Sequence, residues 1–148
     1  VYDTPEPSDD YGRYKLECEQ RVRAANDAAR VVRIGWQIAL RPGGNSMVEH
    51  LIRRQAQDGR IAASAEWFPA CSFLDDTARV LAGVLEGRGP AVYLLDGNPG
   101  KSFWQIVCSL RLVMGRAWTV DKTDDFQWNN RMEDSELRVP SIELRLDF

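Results

Sequence analysis

Short β-branched runs alternate with capped, helical stretches along this chain, and that alternation constrains the fold more than any single residue. Residues 11–28 have helical character behind Ser8 to Asp10, which can cap a helix entering at Tyr11. The run Ala29-Arg30-Val31-Val32-Arg33-Ile34-Gly35-Trp36 then reads as a buried strand, and residues 37–45 as a loop. Ser46-Met47-Val48-Glu49 has the form of a capping box, opening a helix that turns Met47, Val48, Leu51 and Ile52 inward and ends near Gly59. A short strand over 60–64 and a loop over 65–71 follow. Ser72-Phe73-Leu74-Asp75 restarts a helix with Leu74, Ala78, Leu81, Val84 and Leu85 at the helical period, closed over 86–90. Ala91-Val92-Tyr93-Leu94-Leu95 is a compact strand that turns at Asp96-Gly97-Asn98. Ser102-Phe103-Trp104-Gln105 is a second capping box; its helix carries Phe103, Ile106, Val107, Leu110 and Met114 inward and stops at Gly115. Residues 117–120 read as a last strand, and the remainder as irregular until a short final helix or turn. This order indicates one compact α/β region. Its first helix and strand form half of a β-α-β unit, whose parallel partner strand is expected upstream of Val1.

The 148 residues, 44% hydrophobic with five Trp, suffice for the core of one ordinary domain. A net charge of −3 and no continuous basic run give no reason to expect nucleic acid. The densest basic cluster, Arg21-Val22-Arg23 with Arg13, is simplest as a solvated helix face. No apolar stretch approaches the ~20 residues of a membrane span, and no charged-then-apolar leader is present, so a cytoplasmic protein is expected. Cys18, Cys71 and Cys108 are widely separated and lack Cys-x-x-Cys spacing; they read as free thiols, with no metal site expected. His50, the sole histidine, falls in an apparent helix and reads as an ordinary surface or half-buried side chain. The chain starts at Val where a translated product starts with Met, so a fragment, a processed piece or a truncated product is expected. No Gly-rich phosphate-binding fingerprint follows a strand; Gly87-Arg88-Gly89 and Gly97-Asn98-Pro99-Gly100 have turn character.

The chemistry-bearing pair is Tyr11 and Lys15. Four residues apart on a helix, they share one face, one turn apart. A phenol normally titrates near ~10, and a neighbouring ammonium favours the phenolate, which suits a phenol to general acid-base work on a carbonyl or alcohol. The same spacing also arises on solvated helix faces.

The run Val1-Tyr2-Asp3, Thr4-Pro5-Glu6-Pro7 and Tyr11-Gly12-Arg13-Tyr14-Lys15-Leu16-Glu17 resembles the extended short-chain dehydrogenase/reductases, in particular the dTDP-4-dehydrorhamnose reductase branch. By that resemblance the catalytic Ser/Thr lies just before Val1. The likeness continues in register. Val32-Arg33-Ile34-Gly35-Trp36 stands where the branch reads Leu-Arg-Thr-Ser-Trp, which implies that Trp36 lies beside the substrate's sugar; a core Trp is the alternative. Gly44-Asn45-Ser46-Met47-Val48 resembles Gly-x-Asn-Phe-Val, implying a substrate contact from Asn45, otherwise a turn residue ahead of the Ser46 cap. Glu66-Trp67-Phe68-Pro69-Ala70-Cys71-Ser72 resembles Asp-Gln-x-Gly-x-Pro-Thr, so Trp67 and Phe68 either stack on a base or belong to the core. Asn130-Arg131-Met132-Glu133-Asp134-Ser135-Glu136-Leu137 resembles Arg-Pro-x-x-Ser-x-Leu, which implies that Arg131 grips a pyrophosphate; otherwise it pairs with Glu133 or Asp134.

The resemblance implies an α/β fold made of the C-terminal part of such a reductase, with the N-terminal dinucleotide-binding half absent. Residues 1–36 would be the tail of the Rossmann-type domain and 37–148 the substrate-binding α/β region. It further implies Tyr11 and Lys15 as catalytic and cofactor-binding residues, NADP or NAD in the full-length parent and none for this chain alone, a nucleotide-sugar substrate, and, by analogy, a homodimer. A regulatory or scaffolding subunit of the same fold is the alternative, and the altered Ile34-Gly35 and Trp67-Phe68 positions fit it.

Overall fold

The computed structural model describes residues 3–41, 43–86, 91–133 and 137–148, with Glu86 described by its backbone alone. Val1-Tyr2 of the family-like run, Pro42 of the loop, the turn at 87–90 and Asp134-Ser135-Glu136 of the last motif lie outside the described residues. In chain order the elements are α1 (Asp10–Ala25), β1 (Val31–Ile34), β2 (Trp36–Ile38), α2 (Met47–Asp58), β3 (Ile61–Ser64), β4 (Trp67–Phe68) and β5 (Cys71–Phe73). Then come α3 (Leu74–Glu86), β6 (Val92–Leu95), α4 (Phe103–Val113), β7 (Val120–Thr123), β8 (Trp128–Asn129) and a 3-10 turn at Ile142–Leu144.

All four strand pairings are parallel: β1 with β6, β2 with β5, β3 with β7 and β4 with β8. Parallel neighbours require crossover connections, which α2, α3 and α4 provide within this α/β chain. The core gathers Ile38 and Phe73 from β2 and β5, Met47, Val48 and Leu51 from α2, and Phe103, Ile106, Val107 and Leu110 from α4. Ile61, Trp118, Ile142 and Leu146 close it. The Ser102–Gln105 capping box forms in full, so α4 starts where its sequence dictates.

Several expectations need correction. The parallel partner of β1 is not confined to upstream sequence; β6 supplies one, pairing Val31 to Ile34 with Val92 to Leu95. The first helix ends at Ala25, because the Asn26 side chain accepts from Ala28 N and turns the chain. The expected strand over 29–36 begins at Val31, and part of the expected loop over 37–45 is β2. The expected loop over 65–71 likewise contains β4 and the start of β5. Ser46 caps α2, but Glu49 Oε2 accepts from Gly43 N instead of closing the box. The third helix begins at Leu74, since Ser72 and Phe73 complete β5, and its inward face differs from the apolar one. Leu74, Ala78 and Leu85 are exposed and Leu81 is half-buried; of the expected set the fold buries Val84, on the side that also buries Asp76 and Thr77. The strand expected over 117–120 runs over Val120–Thr123.

Candidate functional site

Residues 3–7 run as an irregular loop into Asp9, whose side chain accepts from Gly12 N at 2.7 Å and starts α1. Gly12 lets this loop lie against the first helical turn: a Cβ there would stand 2.9 Å from the Pro7 Cβ. Tyr11 and Lys15 then line one cleft of about 800 Å³ between α1 and β1, with Leu16, Val22, Val31 and Ile34 among its apolar walls. Both are exposed, Tyr11 by 72%, so a ligand entering the cleft can reach the phenol and the ammonium together.

Arg131 lines a neighbouring cleft of about 440 Å³ with Thr4, Leu94 and Asn129. Pro5 and Arg33 are walls of both clefts, which are therefore adjacent. The Arg131 segment is anchored by Asp96, at the carboxyl end of β6. Its carboxylate accepts from Cys71 N (3.0 Å), Asn98 N (2.8 Å) and Met132 N (2.9 Å). Burial raises the Asp96 carboxyl above its ordinary range, partly offset by these three amides and the Arg131 guanidinium. Asn98 extends the knot, donating to Pro69 O and Lys101 O and accepting from Gly100 N and Lys101 N. Arg131 Nε donates to Asn129 Oδ1 at 3.2 Å. Glu133 does not pair with it, and among the described residues no carboxylate lies within 4 Å of its guanidinium; Asp134 lies outside them. Among the described residues the guanidinium has no carboxylate partner, and it stands at the carboxyl end of a parallel strand pair, where open α/β sheets bind ligands.

Trp36 and Trp67 meet edge to face at 5.5 Å in an aromatic cluster with His50, Phe103 and Phe126. Neither indole lines the two clefts above. Trp67 reaches the Arg131 segment through its Nε1, which donates to Asn130 Oδ1 at 3.0 Å. Both Trp rings retain solvent access, so each is part of the packing and part of a surface. His50 is exposed on α2, and partial desolvation at the edge of Trp36, with Arg54 and Arg53 nearby, holds its imidazole below the ordinary range. Asn45 is exposed in the bend ahead of Ser46, and its side chain makes no hydrogen bond among the described residues.

The structure therefore brings Tyr11 and Lys15 together, sets Arg131 in the adjoining cleft, joins Trp36 to Trp67, and leaves Asn45 at the surface. Sequence reasoning passed over Asp96 and Asn98, read only as a turn, and Arg33. Its signal was a lone guanidinium inside the apolar run Val31-Val32-Arg33-Ile34. Among the described residues no group of His, Cys, Asp and Glu is disposed to hold a metal ion, and no helix is long and apolar enough to cross a membrane.

The family described as the RmlD substrate binding domain matches residues 1–96. No curated protein matches the sequence significantly. Among solved structures, the dTDP-4-dehydrorhamnose reductase of Bacillus anthracis in complex with NADP is similar at a TM-score of 0.80 and 16% identity, covering 95% of this chain and 54% of that one. The reductases of that name from Clostridium acetobutylicum (TM-score 0.74, 20% identity, 89% of this chain and 49% of that one) and Yersinia enterocolitica (0.70, 19%, 95% and 55%) are similar too. At these identities the likeness shows the fold. The chain spans about half the length of these structures, and the part matched is an α/β unit with parallel strand pairs, the C-terminal half of the reductase fold.

Proposed function

The chain belongs to the RmlD substrate-binding domain family, and from that premise we propose that it is the substrate-binding and proton-donating portion of an NAD(P)-dependent reductase of a nucleotide-linked 4-keto sugar. Residues 1–36 are the tail of its Rossmann-type domain and 37–148 its substrate-binding region. The observation that carries the reading is the pair of adjoining clefts, one lined by Tyr11 and Lys15 and the other by Arg131, with Arg33 and Pro5 common to both.

The donor set suits a nicotinamide ribose: a hydroxyl and an ammonium one helical turn apart, facing an open cleft with apolar walls. Tyr11 and Lys15 are the residues of this chain that would hold it. When bound, such a cofactor supplies the hydride. Tyr11 gives its phenolic proton to the oxygen of the reduced carbonyl, and Lys15 stabilises the phenolate that remains. Arg131 binds the pyrophosphate with its planar fork. Trp36 and Trp67 offer flat faces to the sugar and the base, and Asn45 adds a polar contact at the entrance of α2. With no Gly-rich fingerprint in its 148 residues, the chain is not expected to turn over by itself.

The test is Tyr11→Phe in a polypeptide that also carries the dinucleotide-binding half. Reduction is expected to fall by roughly 10²–10⁴-fold, with nucleotide-sugar binding, measured by calorimetry, unchanged. Undiminished reduction would remove Tyr11 from the chemistry.

A further inference from the structure

We infer that Glu19 and Arg33 form a positioning pair that sets the Tyr11–Lys15 face of α1 against the sheet, an inference that rests on the roles proposed above for Tyr11 and Lys15. α1 buries none of its residues and contributes none to the core. Half-buried Leu16 and Cys18 give it some apolar contact with the cleft. Such contact is non-directional and fixes neither the rotation of the helix nor its slide along β1. Arg33 supplies direction. Its Nε donates to Glu19 Oε1 at 3.0 Å and its Nη2 to Oε2 at 2.8 Å. A two-bond fork between planar groups fixes orientation as well as distance.

This pair differs from the other two ion pairs of the helix. Arg13–Asp10 and Arg21–Glu17 join residues of α1 to one another on its open surface, whereas Arg33 and Glu19 connect α1 to β1 with side chains only 34% and 19% exposed. Arg33 is itself fixed, opposite Leu94 in the β1–β6 register. Glu19 continues the spacing of Tyr11 and Lys15 by one further turn, so the three residues share a helix face and line the same cleft. A rotation of α1 by one residue, about 100°, would break the fork and carry the phenol and ammonium out of the cleft together. Neither Glu19 nor Arg33 needs to touch a reacting atom for this.

The experiment is Glu19→Gln in the 148-residue chain, read by amide hydrogen exchange. Protection in α1 is expected to fall by roughly tenfold while α2 and α4 keep theirs. Arg33→Lys, which keeps the charge and loses the fork, should behave alike, and the reversed pair Glu19→Arg with Arg33→Glu should restore α1. In a polypeptide carrying the dinucleotide-binding half, Glu19→Gln is expected to lower kcat by roughly tenfold with KM unchanged, and the reversed pair to recover it. Unaltered exchange in α1, or an equal loss in α2 and α4, overturns the inference. So does an unchanged kcat in a protein whose turnover Tyr11→Phe abolishes. If Tyr11→Phe leaves turnover intact, the roles of Tyr11 and Lys15 have failed instead, and α1 exchange alone decides whether Glu19 and Arg33 set the helix.

Discussion

At the scale of single residues, Gly35 shows how a departure from a family pattern acquires a physical reason. Gly35 stands where the resemblance implies a hydroxyl side chain, a difference that on sequence alone suits a drifted pocket. In the fold, Gly35 separates β1 from β2 where the chain passes against Ala70, and Trp36 N donates to Ala70 O at 2.8 Å. A Cβ at Gly35 would lie 2.1 Å from that carbonyl oxygen, a distance no side chain can occupy. The glycine therefore permits the close backbone approach that sets Trp36 in the aromatic cluster. Gly35→Ala is expected to cost about 1–3 kcal/mol, read as a lower urea midpoint, and to change the near-ultraviolet signal of the Trp36–Trp67 pair. A variant with unchanged stability and unchanged aromatic signal would show that the two segments can part without consequence.

At the scale of elements, α3 marks where periodicity misleads. Seven of its 13 residues are Leu, Val or Ala, so more than one apolar stripe can be drawn around it. The stripe through Leu74, Ala78, Leu81, Val84 and Leu85 follows the helical period, yet the fold buries only its Val84 edge, on the side with Asp76 and Thr77, and leaves Leu74, Ala78 and Leu85 exposed. The cause is distant in sequence. Arg145 donates to both Asp75 oxygens and to Asp76 Oδ1, its guanidinium lies over the Phe73 ring, and Ser72 bonds the Thr77 hydroxyl. Paired in this way, a carboxylate and a hydroxyl can be buried, and no pattern within 13 residues announces a partner 69 positions away. By contrast α2 and α4, with Ser caps and single apolar faces, were legible from local sequence, as was the helix carrying Tyr11 and Lys15. The two-residue strands were not, because pairings such as Trp67 with Trp128 are set by tertiary contact. Val84 is 8% exposed and Leu85 88%. Val84→Ala should therefore cost about 1–2 kcal/mol, while Leu85→Lys should stay within about 0.5 kcal/mol. Urea titration of the two variants separates the two sides of the helix, and the reverse ranking would place Leu85 and not Val84 against the core.

At the scale of the whole molecule, the candidate site residues come from both ends of the chain: Tyr11 and Lys15 from α1 and Arg131 from the segment tied down by Asp96 line adjoining clefts, while the Trp pair, from strands between them, packs outside both. Local sequence marked each one, but the adjacency of the two clefts depends on long crossovers and on the Asp96 knot, which no local motif encodes. The aromatic cluster is expected to give the fold a pH response through His50, held at the edge of Trp36 at 5.6 Å. Partial desolvation of this exposed side chain, with Arg54 and Arg53 alongside, keeps its folded-state pKa below the ordinary value. Between that lowered value and the unfolded value of about 6.5, the unfolded chain binds more protons than the folded one. Stability is then complete above the unfolded value and declines as pH falls through the window. Asp96 acts with the opposite sign further into acid. Its raised folded value means that the native carboxyl takes up a proton before the unfolded one, so acidification relieves the cost of its buried charge. The expected result is a Tm that falls as the solution is taken from about pH 7.5 to about pH 5, with a slope that flattens in His50→Gln, which cannot titrate there. An equal slope in the variant would assign the decline to other groups and leave His50 indifferent to its place beside Trp36.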